Sequence, residues 1–244
     1  FLAIVAFPAR VGELARPYLI TKKSRIAMSS ALGTIFVERV LDSLTVLIIA
    51  LVALLFTPLP HWLVRSSALL LLVTIFLSTL MILMVVRRDV ALQLLSPLIK
   101  RLPVRYAEIL NRLINHLIAG FGIMIDPIPL LWVTFLSIVI WLIDILAIYL
   151  LFQAFHMHLS IAAATVLMIV LIIGIAIPTA PGFIGNWHFF CVLGLGLFGI
   201  PKTDALTFAI VYHALSIGLI VLLGLLFLPF NRFGFTDLRP QAGS

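Results

Sequence analysis

Glu38, Arg39 and Asp42 stand close together in an otherwise apolar stretch, Val37-Glu38-Arg39-Val40-Leu41-Asp42. On a helix, spacings of three and four place Asp42 on the same face as Arg39 and Glu38. Each such charge costs roughly 2.5–3.5 kcal/mol at the centre of a membrane helix, so it must face a partner or a watery cavity. The cluster can serve in two ways: as an Arg39–Asp42 pair that holds helices together, or as a polar path for a lipid headgroup. A second charged group, Arg10-Val-Gly12-Glu13-Leu-Ala-Arg16, adds two guanidiniums and a carboxylate on a short segment. The donor fork of arginine fits phosphate oxygens, so Arg10 or Arg16 is a candidate for holding a lipid phosphodiester. The competing reading is a basic anchor at the membrane edge, and Lys22, Lys23 and Arg25 are read as that anchor alone.

A third group surrounds Pro178-Thr-Ala-Pro181-Gly182-Phe-Ile-Gly185. Two prolines remove backbone donors and break a helix. Irregular backbone at membrane depth persists only where protein or water satisfies it, which makes this break a candidate site. A plain proline kink between packed helices is the alternative. His188 follows the break and His213 lies in the last apolar stretch, where neutral imidazoles are tolerated as hydrogen-bonding groups. Asp144, isolated between apolar runs, is expected to meet a polar partner, either structurally or along the path. Cys191 is read as inert packing, and His156-Met-His158 does not assemble a convergent metal site. With no nucleotide-binding, zinc-protease or serine-hydrolase motif in the sequence, no cofactor or metal is expected and the chain is read as a non-enzyme.

These residues sit in a chain of 244 residues that is 64% hydrophobic and 10% charged, with a mean hydropathy of +1.28. Sixteen basic and nine acidic residues cannot coat such a particle in water, so the solvent must be lipid. One cysteine excludes a disulfide scaffold, and the net charge of +7 is spread between oily segments and not along an aromatic-interleaved face, which excludes nucleic acid as a partner. A membrane helix needs about 20 apolar residues. The spans expected are Ser43–Val64 (beginning near Met28), Ser66–Val86, Pro127 to about Phe155, a broken pair of about Ile161–Ile177 and Phe183–Phe198, and Ala205–Asn231. Between Arg87 and Asp126, apolar Ile109, Leu110, Leu113, Ile114, Leu117 and Ile118 recur at three and four spacing. That predicts an amphipathic helix at the cytoplasmic interface. Thirteen of the sixteen basic residues fall in Arg10–Arg25, Arg87–Arg112 and the tail after Phe230, which assigns those segments to the cytoplasmic side.

The expected fold is therefore all-α: a polytopic transmembrane helix bundle, read as one domain over 1–244, with a broken or re-entrant helix pair. An inverted repeat is a further expectation, because Ala31–Leu41 aligns with Ala205–Leu215 and each follows a Pro-x-x-x-Gly element. The apolar opening Phe1–Phe7, with no initiator methionine, leads us to expect further membrane helices upstream.

Four motifs together resemble one family, the lysylphosphatidylglycerol synthase transmembrane region, whose members are flippase-like integral membrane proteins. They are Pro8-Ala-Arg10-Val-Gly12-Glu13-Leu-Ala-Arg16, Val37-Glu38-Arg39-Val-Leu-Asp42, Pro178-Thr-Ala-Pro181-Gly182-Phe-Ile-Gly185, and Tyr212-His213. The resemblance spans nearly the whole chain and implies a multi-pass protein of the cytoplasmic membrane associated with lipid translocation. Name-giving members join such a domain to a cytosolic aminoacyl-transferase, which this sequence lacks, so that reaction does not carry over. Many members also have Glu at the position of His188 and Arg at that of His213. Two histidines there suggest transport that varies with pH between about 5 and 8.

The function expected is a lipid translocator in which Arg10, Arg16 and Arg39 receive an anionic headgroup while Glu13, Glu38 and Asp42 tune its release. The Pro178–Gly185 break, with His188 and His213, would supply the moving element. Membrane phospholipids are the expected partners, with a homo-oligomer or a separate lipid-modifying enzyme as further possibilities. The alternatives are a membrane-embedded lipid-modifying enzyme with Glu13, Glu38 or His188 as base, and a non-catalytic partner of a lipid-modifying or glycosyl-transferring enzyme.

Overall fold

The computed structural model describes residues 15–23, 26–56, 61–87, 103–124, 126–176 and 180–227. Arg10, Glu13 and Pro178 lie outside the described residues, as do residues 88–102. The described residues are helical and contain no strand: α1 (Ala15–Lys23), α2 (Met28–Phe56), α3 (His61–Val86), α4 (Val104–Gly120), α5 (Pro127–Ala154), α6 (Ile161–Ile175), α7 (Asn186–Gly196) and α8 (Lys202–Phe227). Short 3-10 turns occupy Phe121–Met124 and Pro181–Phe183. The all-α membrane bundle read from the sequence is the fold observed. Among the described helices, α3, α5 and α8 are long and apolar enough to cross a membrane. Their outward faces carry large apolar side chains, such as Leu72, Phe76, Leu131, Leu222 and Leu225, which is the surface lipid requires. The chain is an integral membrane protein.

The turn that the sequence places at Thr57–Trp62, within the charge-free run Ser43–Val64, agrees with helices that end at Phe56 and begin at His61. Pro58 and Pro60 stand between the two helices, and a proline cannot continue the hydrogen-bond ladder. One boundary differs from the sequence reading. The broken pair is 161–175 and 186–196, so the break is wider than the prolines alone predict. α5 runs uninterrupted through Asp144, and Asp126 caps its start by accepting the Ile128 N–H at 3.1 Å. The two stretches aligned as a repeat, 31–41 and 205–215, are both helical.

The chain divides into two compact units, Leu14–Ile173 and a second that holds the described residues from Gly174 onward. In the first unit α2 is the hub, in contact with α1, α3, α4 and α5. Val37 and Val40 of α2 pack with Met81 of α3 and with Phe121, at the end of α4, in a core flanked by Leu41, Leu77 and Leu117. The amphipathic α4 lies against α2 at its C-terminal end, where Gly33 and Gly120 meet backbone to backbone. A Cβ on Gly120 would lie 2.9 Å from the Gly33 Cα and closer still to the Ser30 carbonyl. A hydrogen bond between His116 Nδ1 and Ser29 Oγ at 2.9 Å ties the same two helices. In the second unit α7 packs on α8, with Cys191, Leu195, Ala205, Phe208 and Ala209 fully enclosed.

Gly120→Val is expected to destabilise the first unit by about 1–3 kcal/mol, through forced separation of α2 and α4. A lowered melting temperature in detergent, with Gly122→Ala unchanged as control because nothing lies within 4 Å of its added Cβ, is the result expected.

Candidate functional site

The sequence places charges on one face of α2, and the structure supplies their partners from two other helices. Arg16 of α1 reaches Glu38 with one guanidinium nitrogen, Nη1, 2.9 Å from Oε1 and 2.8 Å from Oε2. Arg39 lies between the two acids of its own helix, 3.5 Å from Glu38 Oε1 and 3.5 Å from Asp42 Oδ2. Ser137 of α5 donates its hydroxyl to Asp42 Oδ1. The network thus runs from α1 across α2 to α5.

Its members are unequally held. Glu38 has Arg16, and Asp42 has Ser137, at hydrogen-bonding distance. Arg39 sits at separations beyond the usual 2.7–3.2 Å range and is held by charge alone. Among the described residues none accepts a hydrogen bond from its guanidinium, which carries five N–H donors. Its side chain is 46% exposed, against 21% for Asp42. Releasing Arg39 therefore leaves neither carboxylate without a partner. The sequence brought Glu38, Arg39 and Asp42 together correctly and treated Arg16 as a phosphate ligand or an anchor, whereas Arg16 is the cross-helix partner of Glu38. Ser137 was missed: an apolar helix with one serine carries no signal that it faces a charge 95 residues away.

The second candidate element lies wholly in the other unit. Gly182 and Phe183 both adopt left-handed backbone conformations, φ +64° and +58°, and Gly185 has φ +87°. For Phe183 this costs about 1–2 kcal/mol, because its Cβ crowds the following carbonyl. Three polar side chains satisfy the backbone that the break exposes. Asn186 Nδ2 donates to the Gly174 carbonyl, one of the last in α6 and without an intrahelical partner. His188 Nδ1 accepts the Gly185 N–H at 3.3 Å. His213 Nε2 donates to the Gly182 carbonyl at 2.7 Å and is buried, with 8% exposure. The His188 and His213 rings meet edge to face with centroids 4.8 Å apart, and Trp187 covers His213 at 5.4 Å and Tyr212 at 5.2 Å. The two histidines are in contact across the break, as the sequence comparison of their positions anticipated. Asn186 and Trp187 were not anticipated, although an amide just after Gly185 at a helix start is a capping signal.

The sequence profile of the lysylphosphatidylglycerol synthase TM region matches residues 1–224. The chain belongs to this family. Two relatives extend the match. A UPF0104 membrane protein of Methanothermobacter thermautotrophicus is 24% identical over 241 residues, covering 90% of this chain and 68% of the relative. A second, from Methanocaldococcus jannaschii, is 26% identical over 231 residues, covering 89% of this chain and 88% of the relative. No solved structure matches significantly. For this member of the lysylphosphatidylglycerol synthase TM region family, both charged and broken-helix elements fall inside the matched range.

Removing the Asp42 carboxylate strands the Ser137 hydroxyl and loosens Arg39, whereas an amide keeps an acceptor for Ser137. Asp42→Ala is expected to lose about 1–3 kcal/mol and Asp42→Asn distinctly less. Chemical denaturation in detergent, followed by helix content, reads the difference.

Proposed function

We propose that the chain is a lipid translocator of the cytoplasmic membrane, with its basic loops on the cytoplasmic side, and that it moves a phospholipid whose phosphate docks on Arg39. The single observation that supports this most is the arrangement of Arg39, a half-exposed guanidinium that can turn to a ligand while both neighbouring acids remain partnered. A fork of donors that no described residue engages in a hydrogen bond is matched by a phosphodiester. Arg16 has the other role: locked on Glu38, it joins α1 to α2 and fixes the acid beside which the headgroup arrives. Glu38 and Asp42 lower the affinity for an anion by competing for Arg39, which a carrier requires, since a site that holds its cargo too well does not release it.

Acyl chains stay in lipid throughout, against apolar surfaces such as those of α3 and α5, and only the headgroup needs a polar route. No bond in the lipid is made or broken. The family membership supports a membrane-embedded role in lipid handling, as its name-giving members act with lysylphosphatidylglycerol. The lipid moved by this chain is defined here only by its phosphate. The Pro181–Gly185 stretch ahead of α7 is the part of the fold suited to movement, because its backbone is held by side chains and not by a continuous helix.

The test is made with full-length protein in proteoliposomes containing headgroup-labelled phosphatidylglycerol, following loss of the protected inner-leaflet signal. Wild type is expected to expose the label, and Arg39→Gln to slow this at least tenfold with an unchanged melting temperature. Arg16→Gln is expected to lower the melting temperature. Wild type that moves no phospholipid, or Arg39→Gln that moves it at the wild-type rate, refutes the reading.

A further inference from the structure

A buried donor without an acceptor is rare, and among the described residues two side chains carry one: the indole nitrogens Nε1 of Trp141 and Trp187. Trp187 has another use for its ring, which packs on Tyr212 and His213 at the break. Trp141 of α5 has neither a ring partner nor an acceptor among the described residues. Its depth is also wrong for a membrane anchor. Anchoring tryptophans sit at the membrane edge, where the N–H reaches headgroups or water. Trp132, 60% exposed and in the second turn of α5, is placed in that way. Trp141 stands 13 residues before Ala154, the nearer end of α5, or about 20 Å along the axis. At that depth hydrocarbon supplies no acceptor. A phenylalanine would fill the space without the unpaired N–H, so the donor calls for an acceptor that a ligand brings.

The face on which it stands says where that ligand sits. Trp141 follows Ser137 by four residues and precedes Ile145 by four, and both neighbours are buried, so the three share the inward face of α5. Ser137 donates to Asp42 Oδ1, and Asp42 Oδ2 lies 3.5 Å from Arg39. The indole therefore stands one helical turn, about 6 Å, beyond the hydroxyl that borders the charged network.

We propose that Trp141 is a second contact of the phosphate site, its Nε1–H donating to an uncharged oxygen of the lipid whose phosphate lies on Arg39. That the ligand is a phospholipid rests on the translocator reading. Indole is a donor only, so an ammonium group, also a donor only, is no partner for it. Asp42, one turn away through Ser137, repels a second anion. A hydroxyl or carbonyl oxygen remains, and a phospholipid carries such oxygens a few bonds from its phosphate, in a hydroxylated headgroup and in its acyl esters. Arg39 supplies the charge and Trp141 the direction: a phosphate on one guanidinium can swivel, whereas two contacts a turn apart fix how the lipid lies along α5.

The experiment uses full-length protein in maltoside detergent, 15N-labelled at its four tryptophans, with the Trp141 indole resonance assigned through Trp141→Phe. Titration with dihexanoyl phosphatidylglycerol is expected to move the Trp141 indole proton downfield and to saturate. Two further lipids identify the oxygen. Response to the diether analogue of phosphatidylglycerol but not to dihexanoyl phosphatidylethanolamine assigns the headgroup hydroxyl; the reverse assigns the ester carbonyl. Trp141→Phe is expected to bind headgroup-labelled phosphatidylglycerol about fivefold more weakly, with a melting temperature that does not fall, because the unliganded protein loses no hydrogen bond. No response to any of the three lipids, an equal response to all three, which would make the phosphate the acceptor, or a lower melting temperature with unchanged affinity overturns the proposal. A saturable Trp141 response in a protein that moves no lipid upholds the contact and refutes the translocator reading, whereas lipid movement without a Trp141 response refutes the contact alone.

Discussion

A carboxylate on a largely apolar helix persists only where a cation or a strong donor reaches it, and α2 carries two. That requirement draws in Arg16 from α1 and Ser137 from α5, so the polar network and the helix packing are one arrangement. The remaining contacts of the first unit follow from α2 as hub. Its apolar face packs on Met81 and Phe121, and its glycine at 33 admits α4 to backbone contact. Within lipid, where apolar surface gives helices no preference for one another over the bilayer, such close approach and polar pairing decide which faces meet.

At the break in the second unit, the described residues answer a related requirement with neutral groups. The problem there is exposed backbone and not exposed side chains, and the groups that solve it are an amide and two imidazoles. Asn186, His188 and His213 each satisfy one orphaned backbone group, and Trp187 shields the result. Hydrogen bonds of this kind can be exchanged for bonds to water or to a ligand at small net cost, whereas a continuous helix must unwind to expose the same groups.

Much of this was legible in the sequence because lipid simplifies the code. Long apolar runs become helices, and isolated charges inside them must find partners, so Glu38, Arg39, Asp42 and the Pro178–Gly185 break are legible from residue types alone. What the sequence withheld was pairing across helices. Periodicity shows that Glu38 and Asp42 share a face, but it does not say that Arg16 and Ser137 are what that face meets. The close contact of Gly33 with Gly120 is hidden for the same reason: a glycine in an apolar helix has no spacing that reveals which neighbour uses it.

The unequal grip on the two cations bears on how such a protein can work at all. A network in which every donor was saturated would be a structural clamp, and an anion would have to break a salt bridge to enter. Here the tightly held pair is Arg16–Glu38, and Arg39 is kept by two longer ion pairs whose carboxylates have other partners. In the proposed translocator, exchange of a phosphate for those two contacts would replace weak ion pairs with charge-assisted hydrogen bonds, and would reverse by the return of acids that keep their other partners. Affinity set by competition within one helix is low and quickly reversible, and those are the properties that distinguish a site for passage from a site for storage.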